Sequence, residues 1–203
     1  SVVDRPYDGT TRVELTGAQL ANAVASDLAG GTVALDSSTE YGVMSDKNAR
    51  ANKLLTAQYE LTGADQDNYI LTLPTDLTAD IAKAQLTVTG TLTAEDRPYN
   101  GMTTATIDTS NLSLSDYVAG DELTLELANA TGSFVDANAG VAKTVTLSTS
   151  GSLGGADREN YEIVSNAPTT TATITPKLLT VDGVTVAPRT YDATAIADLL
   201  GGT

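Results

Sequence analysis

The sequence predicts an all-β chain of tandem antiparallel β-sandwiches, immunoglobulin-like, each of about 92 residues and set end to end. Three observations carry that expectation. Tyr7, Tyr99 and Tyr191 stand 92 residues apart, in the octets Asp4–Thr11 and Asp96–Thr103 and a degenerate copy, Ala187–Thr194. A constant period of this size marks tandem domains. Short runs alternating Thr, Val and Leu are cut at regular intervals by Gly, Asp and Asn, which is the signature of strands joined by tight turns. The helix signal is weak. Leu20, Val24 and Leu28 fall at i, i+4 and i+8 within 18–28, enough for a turn or two. The matching stretch 107–118 is rich in Ser, Thr and Asp and lacks that spacing, so the helix is expected to be short or absent.

In chain order, Asp4–Thr11 reads as a turn: Pro6 pre-sets one dihedral and Asp8-Gly9 suits a sharp reversal. Val13-Glu14-Leu15 follows as a short alternating piece. Thr32–Leu35 corresponds to Glu122–Leu127, and Asp46–Thr56 to Asp136–Thr146, each of the latter pair a polar turn feeding a long strand. Gly-Ala-Asp-x-x-Asn-Tyr occurs at 63–69 and 155–161. It predicts a tight corner leading into a strand whose first residue, Tyr69 or Tyr161, buries its ring and bonds upstream backbone through its hydroxyl. Ala79–Lys83 parallels Ala172–Lys177, and each runs directly on into Leu86-Thr87-Val88 or Leu179-Thr180-Val181, the expected first strand of the next unit.

These matches place a first unit at 1–84, lacking its first strand, a complete second unit at 85–177, and the start of a third at 178–203. The third unit stops midway, so the chain is expected to be part of a longer protein. No Gly/Ser tract separates the units, and Pro176 fixes φ at one junction, so neighbours should be held in restricted orientation. Copy one lacks the Leu-Thr-Val strand. Its sheet edge is therefore expected to be open, and residues 178–203 of a neighbouring molecule carry the strand that would dock there, head to tail.

Eleven Lys plus Arg against 26 Asp plus Glu give a net charge of −15. Such a chain repels nucleic acid and anionic lipid. No apolar run approaches a membrane span, and no signal peptide opens the chain. There is no His and no Cys, which removes imidazole bases, Ser–His and Cys–His pairs and disulfide frameworks. No carboxylate pair stands out for glycoside hydrolysis, so no enzyme activity and no catalytic residue is expected. Asp4, Asp8, Asp46, Asp65, Asp67, Asp96, Asp136 and Asp157 raise calcium as a cofactor. The sequence has no Asp-x-Asp-x-Asp-Gly loop and no Gly-Gly-x-Gly-x-Asp repeat, so no metal site is assigned. Arg5 and Arg97 are positioned to pair with the aspartate just before each. Lys53 and Lys143 occupy equivalent strand positions, where a stem that snorkels outward is preferred over a Lys–Asn crosslink.

Tyr7-Asp8-Gly9-Thr10-Thr11, Asp46-Lys47-Asn48, Gly63-Ala64-Asp65 with Asn68-Tyr69, and Ile174-Thr175-Pro176-Lys177 with Leu179-Thr180-Val181 resemble the YDG-type repeats of large bacterial surface proteins, filamentous-haemagglutinin-like adhesins among them. The resemblance covers residues 2–177. It implies secretion, display on the cell surface, and a structural role as the stalk of an adhesin, with neighbouring repeats as the main partners. The alternative is that the repeats themselves bind host glycan, through Tyr7 or Tyr99, or a matrix protein. With no Trp and one Phe, the chain lacks the aromatic platforms of most sugar sites.

Overall fold

The computed structural model describes residues 1–115, 117–149, 151–164 and 167–201; the last two residues of the expected third unit lie outside them. The chain is predominantly β. Copy one forms β1 (Arg5–Pro6), β2 (Arg12–Glu14), β3 (Ala34–Leu35), β4 (Tyr41–Met44), β5 (Arg50–Gln58), β6 (Leu61–Thr62) and β7 (Leu77–Ala82). The connecting stretch supplies β8 (Ala84–Leu86) and β9 (Val88–Gly90). Copy two repeats the pattern with β10 (Thr93–Ala94), β11 (Arg97–Pro98), β12 (Thr104–Ala105), β13 (Ile107–Asp108), β14 (Leu112–Leu114), β15 (Thr124–Glu126) and β16 (Gly132–Phe134). It continues with β17 (Gly140–Leu147), β18 (Ser152–Gly154), β19 (Tyr161–Ile163) and β20 (Thr169–Thr175), and β21 (Thr185–Val186) pairs with β22 (Leu199–Leu200) in the tail.

Each copy contributes one five-stranded sheet, ordered β1-β7-β5-β4-β2 in copy one and β11-β20-β17-β16-β12 in copy two. Their alternation is visible in β5, where Lys53, Leu55 and Ala57 face inward and Leu54 and Thr56 outward. Both long strands carry a bulge at the same place, with Asn52 (φ 53°) and Ala142 (φ 48°) in the left-handed region. The sheets are not wholly antiparallel, as expected from sequence. β1 runs parallel to β7 (Arg5 opposite Ile81), and β11 to β20 (Arg97 opposite Ile174). The first and last strands of a copy lie side by side and travel the same way, a pairing between residues 76 apart that no local pattern announces.

A second layer is made of short pairs: β8 parallel to β19, β9 antiparallel to β14, and β15 antiparallel to β18. The chain crosses into it at Lys83, the single residue between β7 and β8. The expected self-contained cores are not what forms here. Tyr7, Val13, Leu15, Met44, Leu55, Ala57, Ala79 and Ile81 of copy one share one cluster with Leu86 and Tyr161, and Leu114, Val118, Leu123 and Leu153 of copy two pack against it. The large sheet of copy one is covered by the small strands of copy two. The large sheet of copy two has its own, smaller cluster: Phe134, Val145, Ala172 and Ile174, with Ala94, Ala105 and Ile107 alongside.

The helix is short, as expected, spanning Ala25–Gly30 with no buried residue and ending at Gly31 (φ 67°). The corner motif is built as the sequence predicts. Gly63 (φ 113°) and Gly155 (φ 98°) each press against backbone, where an added Cβ would lie 2.2 Å from the Thr32 oxygen or 2.1 Å from the Glu122 oxygen. Gly155→Ala is therefore expected to destabilise the chain by roughly 2 kcal/mol or more through positive φ and overlap with backbone. Chemical denaturation reads this directly, and a cost below that of an ordinary surface substitution would contradict the close approach.

Candidate functional site

The loop acids raised as calcium ligands are each engaged locally. Asp8 accepts from the Thr10 backbone N–H and pairs with Arg5 at 2.5 Å. Asp46 accepts from Asn48 N–H and Lys53, and Asp136 from Asn138 N–H and Lys143. Asp4 and Asp96 cap strand backbone across the sheet, at Asp80 N–H (2.8 Å) and Thr173 N–H (2.5 Å). Asp65 lies within reach of the Asn68 amide, while Asp157 accepts from Glu122 N–H. Asp67 sits in the exposed 3₁₀ turn Gln66–Asn68. Among the described residues no group of three or more acidic side chains gathers as a metal cage.

Two sequence expectations about cations change. Arg5 does not pair with Asp4. Its guanidinium turns forward and laces the reversal shut through the carbonyls of Arg12 (3.2 Å), Pro6 (3.1 Å) and Thr10 (2.7 Å), and Arg97 does the same with Thr104, Pro98 and Asn100. Lys53 does not snorkel outward. Its side chain is buried, and its ammonium donates to the Asp46 carboxylate (2.6 Å), the Asp46 carbonyl (2.8 Å) and the Asn48 carbonyl (2.7 Å), tying strand to turn. The acceptor is a carbonyl, not an asparagine amide.

The most concentrated chemistry lies where the copies meet. Asp121, in the loop before β15, is buried with its side chain 1% exposed. One carboxylate oxygen accepts from the hydroxyls of Tyr7 (2.8 Å) and Tyr161 (2.6 Å); the other accepts from the Lys47 ammonium. Tyr7 and Lys47 come from copy one, Asp121 and Tyr161 from copy two. The two rings meet edge to face with centroids 5.3 Å apart, and Lys47 stands 5.7 Å from the Tyr7 ring. The Val118 N–H donates to the Tyr161 hydroxyl (3.1 Å), the upstream backbone bond expected of a corner tyrosine. Beside this clasp the buried Asn160 accepts from Ala49 N–H (2.9 Å) and donates to the Asn48 side chain (3.3 Å), again across the copies.

Electrostatics follow from burial and pairing. Burial pushes the Asp121 carboxyl up, but the Lys47 ammonium and two tyrosine hydroxyls outweigh it, and the group sits below its ordinary value. Hydrogen bonding to Asp121 holds Lys47 well above its ordinary value. Burial, reinforced by the neighbouring carboxylate, raises the hydroxyls of Tyr7 and Tyr161. Every acceptor position that Asp121 offers inside the core is filled by these donors, so the cluster acts as a joint and leaves no base to attack a substrate.

The same parts recur singly at the ends. In copy one Tyr69 donates to Asp27 (2.7 Å) and accepts from Val24 N–H (3.1 Å), as Tyr161 does with Asp121 and Val118, but no second tyrosine and no lysine complete the set. In copy two Tyr99, the counterpart of Tyr7, is 41% exposed. The sequence pointed to Tyr7, Tyr161 and the Asp46-Lys47-Asn48 turn; it did not point to Asp121. Copy one carries extra residues between Asp27 and its strand, so the two aspartates fall out of the 92-residue register. A valine three residues before each, Val24 and Val118, is the signal that could have aligned them.

Fold and joint together define a tandem-repeat β protein whose copies interlock through a common core. A sequence family described as the YDG domain matches residues 1–79 and again 82–172, and the chain belongs to that family. No curated protein and no solved structure matches it. Among the described residues no helix is long and apolar enough to cross a membrane.

Proposed function

We propose that the chain is a section of stalk, a series of interlocked immunoglobulin-like β units that hold a ligand-binding region of an adhesin away from a bacterial cell surface. The observation that carries this reading is the core shared between copies, closed by the Tyr7–Asp121–Tyr161–Lys47 clasp. A joint that buries side chains from both copies resists bending far more than a linker would. The net charge of −15 keeps neighbouring stalks apart. The reading takes the chain as extracellular, non-catalytic and free of cofactor, with neighbouring repeats as its first partners.

Pulling single molecules tests it. The segment 1–164 should resist force as one mechanical unit, and its resistance should fall in variants that break the clasp. A glycan array and a matrix-protein panel test the competing role. Tyr7 is buried and offers no ring face to a sugar, so saturable, competable binding would have to come from another surface and would replace the spacer reading with an adhesive one.

A further inference from the structure

We infer that this chain associates head to tail by strand exchange, residues 178–182 of one molecule entering an apolar cavity in copy one of a second copy of the chain. This rests on the fold alone and stands whether or not the chain is a stalk. The internal joint is the template. There β8 and β9 run between β19 and β14, with Leu86 and Val88 buried. In copy one the corresponding space is a cavity of about 670 Å³, lined by Leu20, Val33, Leu35, Leu61, Tyr69 and Leu73 among others. The counterparts of β19 and β14, residues 69–71 and 20–22, belong to no strand, and Ile70 is 97% exposed.

The strand that would fill this space is on the same chain. Leu179-Thr180-Val181-Asp182-Gly183 repeats Leu86-Thr87-Val88-Thr89-Gly90, and Gly183 and Gly90 share positive φ. Leu178, Leu179 and Val181 are 86%, 83% and 78% exposed. Transferred by the parallel register of β8 with β19, Leu178 of one molecule lies opposite Ile70 of the next. Backbone hydrogen bonds and alternate side-chain pockets would hold it, as in other strand additions. The contact is heterologous, so each molecule keeps a free donor and a free acceptor, and assembly continues beyond the dimer.

The clasp would re-form with one part missing. Tyr99 of one molecule meets Asp27 and Tyr69 of the other, and Asn68 meets the Ala139 N–H. Where Lys47 stands in copy one, copy two has Ala137. The contact between molecules therefore lacks its cation, and it is weaker than the internal joint.

Sedimentation of the full 203-residue chain over a concentration series is expected to show head-to-tail association. L179D/V181D, both at exposed positions, should weaken it at least roughly tenfold with the melting of the monomer unchanged. A137K should tighten it, and D27N should cancel that gain. The chain has no cysteine. Mixed, differently tagged I70C and L178C molecules should therefore crosslink to each other under oxidation, while I70C with V141C, exposed elsewhere, should not. A monomer at every concentration, association unmoved by L179D/V181D, or crosslinks no more frequent than in the control pair would overturn the proposal. An unchanged affinity in A137K would remove the clasp from it.

Discussion

Tyr161→Ala is expected to lower the unfolding free energy by about 4 kcal/mol, the range for a buried aromatic cut back to a methyl group. The ring is 2% exposed, sits edge-on to Tyr7 and ties its hydroxyl to Asp121 and the Val118 N–H. Removing it opens a hole in the cluster that joins the copies and leaves one carboxylate bond unmade. The internal control is Tyr69→Ala. That residue occupies the same place in the repeat, but its ring is only half-buried and the second tyrosine is missing, so the cost should be clearly smaller. Tyr7→Ala should resemble Tyr161→Ala, and the double variant should cost less than the sum because the two share contacts. Equal costs at Tyr69 and Tyr161 in denaturant titrations would mean that the two small layers are packed alike, against the shared core.

That contrast also shows what the sequence could and could not disclose. The corner tyrosine, its burial and its upstream backbone bond were readable because Gly, Asp, Asn and Tyr at fixed spacing leave the local backbone few choices. The 92-residue period was readable too. A period sets the length of a unit but not its phase, and cutting at residue 84 or elsewhere leaves the same repeat. Leu86-Thr87-Val88 was recognised as a strand at the start of copy two. That Leu86 points into the core of copy one depends on the chain changing layers at Lys83, and on parallel pairing of β8 with a strand some 77 residues later. Non-local backbone pairing leaves no local signature. Lys53 is a milder case: alternation along β5 puts it on the inward face, but the fate of its ammonium depended on a turn whose carbonyls point back at it.

Asp121→Ala should destabilise the joint by about 3 kcal/mol, since removing one member of a buried charged pair strands the others. Lys47 can turn to water and toward Asp157, 3.7 Å away, so the loss falls mainly on the two buried hydroxyls that no longer have an acceptor. The pH dependence separates this from simple loss of packing. Asp121 titrates below its unfolded value, so its contribution is whole above the ordinary carboxylate range and is lost as pH falls below about 4. Lys47, Tyr7 and Tyr161 titrate above theirs, so what they contribute is whole at neutral pH and is lost as pH rises beyond about 10. Melting temperature plotted against pH should therefore show a plateau with an acid and an alkaline shoulder. In Asp121→Asn, which keeps the shape and removes the charge, both shoulders should flatten relative to the parent chain. Asp8, Asp46 and Asp136, also held below their ordinary values by their own turns, act equally in both proteins and cancel from the difference. The same holds for the general repulsion of a chain at −15, which acid relieves in parent and variant alike. A difference curve flat from pH 3 to 11 would mean that Asp121 carries no charge in the joint, and that the copies are held by apolar contact alone.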